Sequence, residues 1–313
     1  MRVLFLARME AAEHSQWRHC LRAAAPEVDW LEPEQARGTP DAVDAAVVAN
    51  PPAGSLQGFP RLRLIQSLWA GVDRLLADTT LPVNVPLARM VDPAMSQAMA
   101  ETALWAVLAL QRGFFGYQRQ QQQRQWLQHP QRWADEVPVL VLGYGEMGRT
   151  AAQALARQGF PVTAWRAGEG PTGADGAVSV VRGELLPLLG RHAVLLNLLP
   201  LTERTRGLLD ARLLAALPAG AGVVNLARGA HVVDADLLAA LDSGHVGHAV
   251  LDVFHTEPLP ETSPWWRHPR VTLLPHVAAA TDPRTASAVV AANLRALAAG
   301  QLPANLVQRS RGY

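Results

Sequence analysis

The run VPVLVLGYGEMGRTAAQALARQG, residues 137–159, constrains the fold more than any other part of the chain. An apolar strand, a glycine-rich turn and a helix with alanine and leucine along one face follow in immediate succession. This is the order of a dinucleotide-binding βαβ unit. In such a unit Gly143 permits the tight turn, Gly145 lets a pyrophosphate approach the backbone, and Gly148 lets helix and strand pack closely. The helix N-terminus offers free N–H groups and a positive dipole end to phosphates. The glycine spacing alone is a weak signal in a chain with 24 glycines. Its setting carries the argument, because FPVTAW follows as the second strand.

The end of that second strand decides which dinucleotide fits. In the NAD type an acid about 20 residues beyond the motif binds the ribose hydroxyls, whereas an arginine nearby accommodates a 2′-phosphate. Here the strand closes on Trp165 and Arg166, and the first acid is Glu169. A carboxylate at that corner repels phosphate and a guanidinium binds it in bidentate fashion. The expectation is NADP(H), with Arg166 as its main determinant. The competing interpretation is an ordinary solvated loop arginine.

With 313 residues, two domains are expected. No apolar run approaches the roughly 20 residues of a membrane span. The N-terminal MRVLFLARMEAAEHSQW starts strand-like and turns polar without a cleavage site, so a cytoplasmic protein is expected. Cys20 is the sole cysteine, which excludes an internal disulfide and a Cys-rich metal site. A net charge of +1 gives no reason to expect nucleic acid or a membrane surface as partner. All 28 basic residues are arginine. The absence of lysine excludes Schiff-base chemistry, lysine-linked pyridoxal phosphate and a P-loop lysine.

Strand-like and helix-like segments alternate, which predicts an α/β architecture with mainly parallel sheets. The expected fold is two doubly wound parallel-sheet domains, a Rossmann-type cofactor domain inserted into a smaller flavodoxin-like substrate domain. The expected boundaries are residues 1–92 plus 283–313 for the substrate domain and 93–282 for the cofactor domain. Asp92-Pro93 and Asp282-Pro283 pair an N-cap residue with a first-turn proline, and each predicts a long helix. Both helices are expected to cross between the domains. Residues 116–133, GYQRQQQQRQWLQHPQRW, fit no sheet. They read as a solvated helix end and loop, or as an arm for a second subunit, since Trp126 and Trp133 are costly to expose.

In open α/β sheets, ligands bind beyond the carboxyl ends of the strands. Three such ends each deliver a candidate: Arg228 after VVNLA, Glu257 after AVLDVFH, and His276 after VTLLP. Reduction of a carbonyl needs a proton donor for the nascent alkoxide, and histidine serves near neutral pH. Glu257, if hydrogen-bonded to His276, fixes its tautomer and favours its protonated form. Arg228 suits polarising the carbonyl and gripping an adjacent carboxylate. Singly, each has a structural explanation; together they point to one site.

The segments GYGEMG, NLLPLTERTRGLLD, NLARGAHVVDADLLAALDSG, AVLDVFHTEPLP and SPWWRHPRVTLLPHVAA resemble successive signatures of the D-isomer-specific 2-hydroxyacid dehydrogenases. The resemblance spans most of residues 90–282, with weaker support in SLWAGVDRLL and the closing RGY. Within that family the chain is most similar to the glyoxylate/hydroxypyruvate reductase A group, which reduces small 2-keto acids with NADPH. The resemblance implies the roles given above to Arg228, Glu257, His276 and Arg166, a cofactor cleft between the domains, and a homodimer. It implies further that Ala70 and Gly71 present backbone N–H groups to the substrate carboxylate. Trp69 stands where relatives commonly have a small residue, and a bulky indole there would narrow the pocket or stack on a side chain. Asn50, ending the AAVVAN strand, is a weaker candidate for the pocket lining.

The expected mechanism places the NADPH pyrophosphate over Glu146, Met147 and Gly148 and the keto acid's carboxylate on Arg228 and the 70–71 turn. Hydride goes to C2 while His276 protonates the oxygen. Domain closure would exclude water, with the two Asp-Pro helices as hinges. Two alternatives belong to other classes. One is a nucleotide-sensing binding protein on the same fold, since fold does not fix function. The other is a metal site at His245, His248, Asp242 and Asp252, although no zinc spacing is matched; no metal is expected.

Overall fold

Short runs of valine, leucine and alanine form two sheets, each in its own unit of the chain. The computed structural model describes every residue from Met1 to Tyr313. One unit comprises Met1–Met95 with Thr281–Tyr313, and the other Ser96–Ala280.

The first unit carries β1 (Arg2–Ala7), β2 (Asp29–Leu31), β3 (Ala45–Ala49), β4 (Leu64–Ser67) and β5 (Leu87–Ala88). They form a parallel sheet in the order β2-β1-β3-β4-β5, the flavodoxin-like arrangement. Every residue of β3 and β4 is buried, as expected of a sheet covered on both faces. Helix Ala11–Ala24 and the chain-terminal helix Pro283–Ala298 pack on one another within this unit. The Asp282 carboxylate caps the latter by accepting from Arg284 N–H at 2.9 Å. Asp92 receives Ala94 N–H on one oxygen and the Thr285 hydroxyl on the other, at 3.0 and 2.6 Å. The two Asp-Pro corners are thus tied together.

The second unit carries β6 (Val139–Leu142), β7 (Val162–Trp165), β8 (Gly173–Asp175), β9 (Val178–Val181), β10 (Val194–Asn197), β11 (Ala221–Asn225), β12 (Val246–Leu251) and β13 (Val271–Leu273). Their order is β13-β12-β11-β10-β6-β7-β9-β8, a doubly wound sheet whose strand order reverses between β6 and β10. Alternate side chains feed opposite cores. Val139 and Val141 pack with Ala151, Ala152 and Leu155 of helix Glu146–Arg157, whereas Leu140 and Leu142 pack with Leu213, Leu237 and Leu241.

One feature differs from the expected elements: residues 173–181 form an antiparallel hairpin, β8 with β9, which closes the sheet edge. The segment 116–133 is the expected helix end and loop, beginning inside helix Phe114–Gln122 and continuing as irregular chain, with Trp126 97% and Trp133 78% exposed. No helix is long and apolar enough to cross a membrane.

Candidate active site

The glycine turn after β6 shows a separate constraint at each glycine. Gly143 has φ +98°, and a Cβ there would lie 2.6 Å from the Leu198 carbonyl oxygen of the neighbouring β10 loop. A Cβ at Gly148 would lie 2.1 Å from the Gly143 oxygen. Gly145 is different: a Cβ there would meet no protein atom within 4 Å. It is the N-cap of helix Glu146–Arg157 and no side chain caps that end. The first turn, with Glu146, Met147 and Gly148, therefore keeps its N–H groups directed at open space, as a phosphate cradle requires.

Arg166 follows β7 directly, and its N–H donates to Val181 O at 2.9 Å. Its guanidinium lies over the Tyr144 ring, 5.4 Å from the centroid, and its Nε is buried without a hydrogen-bond partner. Tyr144 is fixed in turn, its hydroxyl donating to Asp175 at 3.0 Å; Arg149 binds the same carboxylate at 2.8 Å. Burial first, and then Asp175, push the Tyr144 phenol up to about 12, so it stays a neutral donor. Beside Arg166 lies an open cavity of about 570 Å³, lined also by Arg182, Arg204, Glu169 and Gly183.

The proton-transfer candidates sit at the carboxyl ends of β11, β12 and β13. His276 Nδ1 and Glu257 Oε2 are 2.7 Å apart, while Glu257 Oε1 accepts from Phe254 N–H at 2.9 Å. Burial alone would raise the Glu257 carboxyl. The hydrogen bonds from His276 and Phe254, with the charges of His276 and Arg228, outweigh it and hold that carboxyl below its ordinary range. His276 is half-exposed on its other side. An imidazole so paired presents Nε2 outward as the donor.

Arg228 is positioned through its backbone. Asn225 donates from its side-chain amide to Arg228 O at 3.0 Å, and Asn225 itself receives Asn197 Nδ2 at 3.0 Å. The Arg228 guanidinium donates to Ala227 O at 2.8 Å. Gly229 explains the Arg-Gly pair, since a Cβ there would lie 2.0 Å from the Phe254 carbonyl carbon. That close approach packs the loop after β11 against the loop leading to Glu257.

Asp252 is a residue whose part in this site the sequence argument missed. His276 adopts φ +55°, a conformation uncommon outside glycine and asparagine. The chain is held there by Asp252: its carbonyl receives His276 N–H at 2.9 Å, and its carboxylate receives Val277 N–H and Ala278 N–H at 2.7 and 3.1 Å. Burial raises the Asp252 carboxyl, against those two amide hydrogen bonds. The signal available in the sequence was a polar residue ending an apolar strand, as in LLN, VVN and LDVF.

In the first unit, the Ser67 hydroxyl receives Trp69 N–H at 3.0 Å, and Met90 N–H donates to Trp69 O at 3.1 Å. These bonds fix the turn that presents Ala70 and Gly71, whose own N–H groups have no acceptor within the protein. Asn50, at the end of β3, takes φ +49° and is exposed. The four residues weighed as a metal set serve other contacts. His248 stacks on Phe115 and bonds Thr272, His245 contacts Leu214 O, Asp242 contacts His268, and Asp252 holds the His276 loop.

The model of the D-isomer specific 2-hydroxyacid dehydrogenase family, NAD binding domain, matches residues 104–278. A glyoxylate/hydroxypyruvate reductase A of Serratia proteamaculans is 44% identical over 276 residues, covering 86% of this chain and 88% of that one. One of Yersinia enterocolitica is 40% identical over 307 residues, covering 96% and 97%. Among solved structures, a D-isomer specific 2-hydroxyacid dehydrogenase from Xanthobacter autotrophicus Py2, in complex with NADPH and MES, superposes with a TM-score of 0.93. It is 40% identical and covers 100% of this chain and 99% of that chain. An NADPH-dependent glyoxylate/hydroxypyruvate reductase from Sinorhizobium meliloti, in complex with NADP and sulfate, gives 0.90 at 31% identity, with 100% and 99% covered.

Proposed function

From the premise that the chain belongs to the D-isomer specific 2-hydroxyacid dehydrogenase family, we propose that it is an NADPH-dependent reductase of small 2-keto acids, with glyoxylate and hydroxypyruvate as substrates and glycolate and D-glycerate as products. The observation that carries the reading is the 2.7 Å pair of His276 and Glu257 beside the Arg228 loop. The Serratia, Yersinia and Sinorhizobium relatives named above are glyoxylate/hydroxypyruvate reductases by name, and the two solved structures hold NADPH or NADP.

The residues present fit the cofactor. Gly145 leaves the space that a pyrophosphate needs, the first turn of helix Glu146–Arg157 offers its N–H groups, and Arg166 lines a cavity at the β7 end where a 2′-phosphate is expected. Bound NADPH supplies a hydride to C2 of the keto acid. Arg228 binds the substrate carboxylate and draws charge toward the carbonyl oxygen. His276 holds a proton on Nε2 and passes it to that oxygen as negative charge develops. Glu257 keeps the imidazole in one tautomer and orientation and stabilises its charged form, and Asp252 holds the loop that aims it. Ala70 and Gly71 offer two N–H donors of the kind a carboxylate accepts.

Helix Pro93–Gln111 is apolar nearly all round, yet Trp105 is 43% and the following Phe114 51% exposed. These two rings support a homodimer as the working assembly. A demand for NADPH and a lone thiol at Cys20 favour a cytoplasmic location. The test of function is nicotinamide absorbance in parallel assays with NADPH or NADH and with glyoxylate, hydroxypyruvate and a bulkier 2-keto acid. Rapid NADPH oxidation by the two small acids is expected. Binding of NADPH without turnover of any acid would instead make the protein a nucleotide sensor.

A further inference from the structure

The cavity beside Arg166 gathers more positive charge than one cofactor-selecting arginine explains. Arg182 follows β9, which pairs with β7, and Arg204 comes from the loop after β10. Three different strand ends of one sheet thus deliver a guanidinium to the rim of the same 570 Å³ space, against a single carboxylate, Glu169. Arg182 and Arg204 are exposed and make no hydrogen bond or ion pair within the protein. The other arginines near this end of the sheet are not so disposed: Arg149 is spent on Asp175, and Arg166 is stacked on Tyr144.

Two uncompensated guanidinium groups facing a third across open space repel one another, and a dianion between them removes that cost. We propose that Arg182 and Arg204 join Arg166 in a three-arginine site for the 2′-phosphate of NADP(H), so that cofactor choice is shared among the ends of β7, β9 and the β10 loop. The proposal rests on the NADP-dependent reading above. Arg166 is held from behind by Tyr144 and gives the site its fixed wall; Arg182 and Arg204 close over the phosphate from the solvent side. Planar forks suit this task, since each can take two phosphate oxygens. Glu169 remains at the rim, where it would oppose a phosphate placed on its side of the cavity and so narrows the position the anion can take.

The experiment is equilibrium titration, by calorimetry or nicotinamide fluorescence, of NADPH, NADH and 2′,5′-ADP against the wild type, Arg182→Ala, Arg204→Ala and the double variant. Each titration is run at several salt concentrations, with melting temperatures recorded for all four proteins. Removing a charged hydrogen-bonding partner of a phosphate is expected to weaken NADPH and 2′,5′-ADP about tenfold per arginine, equivalent to about 1.4 kcal/mol. The ratio of NADH to NADPH dissociation constants should fall with each substitution, and the salt dependence of 2′,5′-ADP binding should become shallower. Unchanged NADPH and 2′,5′-ADP affinity in the double variant would overturn the proposal and leave selection to Arg166. An equal loss for NADH would also overturn it, placing the two arginines on the shared part of the cofactor. The parent reading fails separately: a wild type that binds 2′,5′-ADP through these arginines yet turns over no keto acid leaves this site standing and removes the reductase. A wild type that prefers NADH removes both.

Discussion

Single side chains in this protein are assigned by which neighbour each one answers to. His276 answers to Glu257, whose carboxylate lies 2.7 Å from the imidazole Nδ1 and fixes the ring. Glu257→Gln keeps a hydrogen-bonding group there but loses its charge, and kcat for keto-acid reduction should fall by at least about tenfold; an unchanged kcat would mean that Glu257 does not act on the donor. The same pair has a stability consequence of defined sign. Glu257 is held below its ordinary pKa, so its contribution is present above the unfolded value and is lost as pH falls through the lowered folded value. The melting-temperature gap between wild type and Glu257→Gln should be widest near neutrality and close in acid. Arg166 lies over the Tyr144 ring, and its charge also acts on Asp175. Arg166→Asp should reverse the preference for NADPH over NADH, measured by paired kcat/KM values.

Elements place those side chains, and here the two glycines flanking Gly145 differ from it in a way that can be measured. Gly143→Ala puts a left-handed alanine, at about 1–2 kcal/mol, against the Leu198 carbonyl and should lower the melting temperature. Gly145→Ala meets nothing within the protein and should fold as the wild type does, yet its Cβ enters the open space where we propose the pyrophosphate binds, and cofactor affinity should drop. Equal stability losses in the two variants, with cofactor affinity intact in Gly145→Ala, would contradict this division of labour. Much of the element pattern was legible beforehand, because apolar strands ending in Asn, Arg or His and helices opening on Asp-Pro carry their own boundaries. The hairpin at residues 173–181 was not legible: its strands are only three and four residues long, and the first is the polar GAD. Asp252 gave only a faint signal, a polar residue ending an apolar strand, since its work is to receive backbone N–H groups from the loop after β13, some 25 residues on in sequence.

At the scale of the whole molecule, the family signatures concentrate in residues 96–280, the unit that carries both the glycine turn and the His276–Glu257 pair. The expectation of two doubly wound sheets came from alternating segments, and the strand orders found in both sheets agree with it. Less legible was how much positive charge the β7 end collects, because Arg182 and Arg204 lie far from Arg166 in sequence and meet it only when the sheet forms. A homodimer should appear in sedimentation equilibrium at micromolar concentration, and Trp105→Glu should shift it toward monomer; a monomeric wild type would remove the assembly proposed from Trp105 and Phe114. The central claim is proton donation by His276 in an NADPH-dependent keto-acid reduction. Its most direct measurement is NADPH oxidation on glyoxylate by the wild type and by His276→Ala under identical conditions. The account predicts ready turnover by the wild type and a kcat lower by about 10²–10⁴-fold in the variant, with NADPH affinity retained. A variant within a few-fold of the wild type would contradict it and assign the proton to another group.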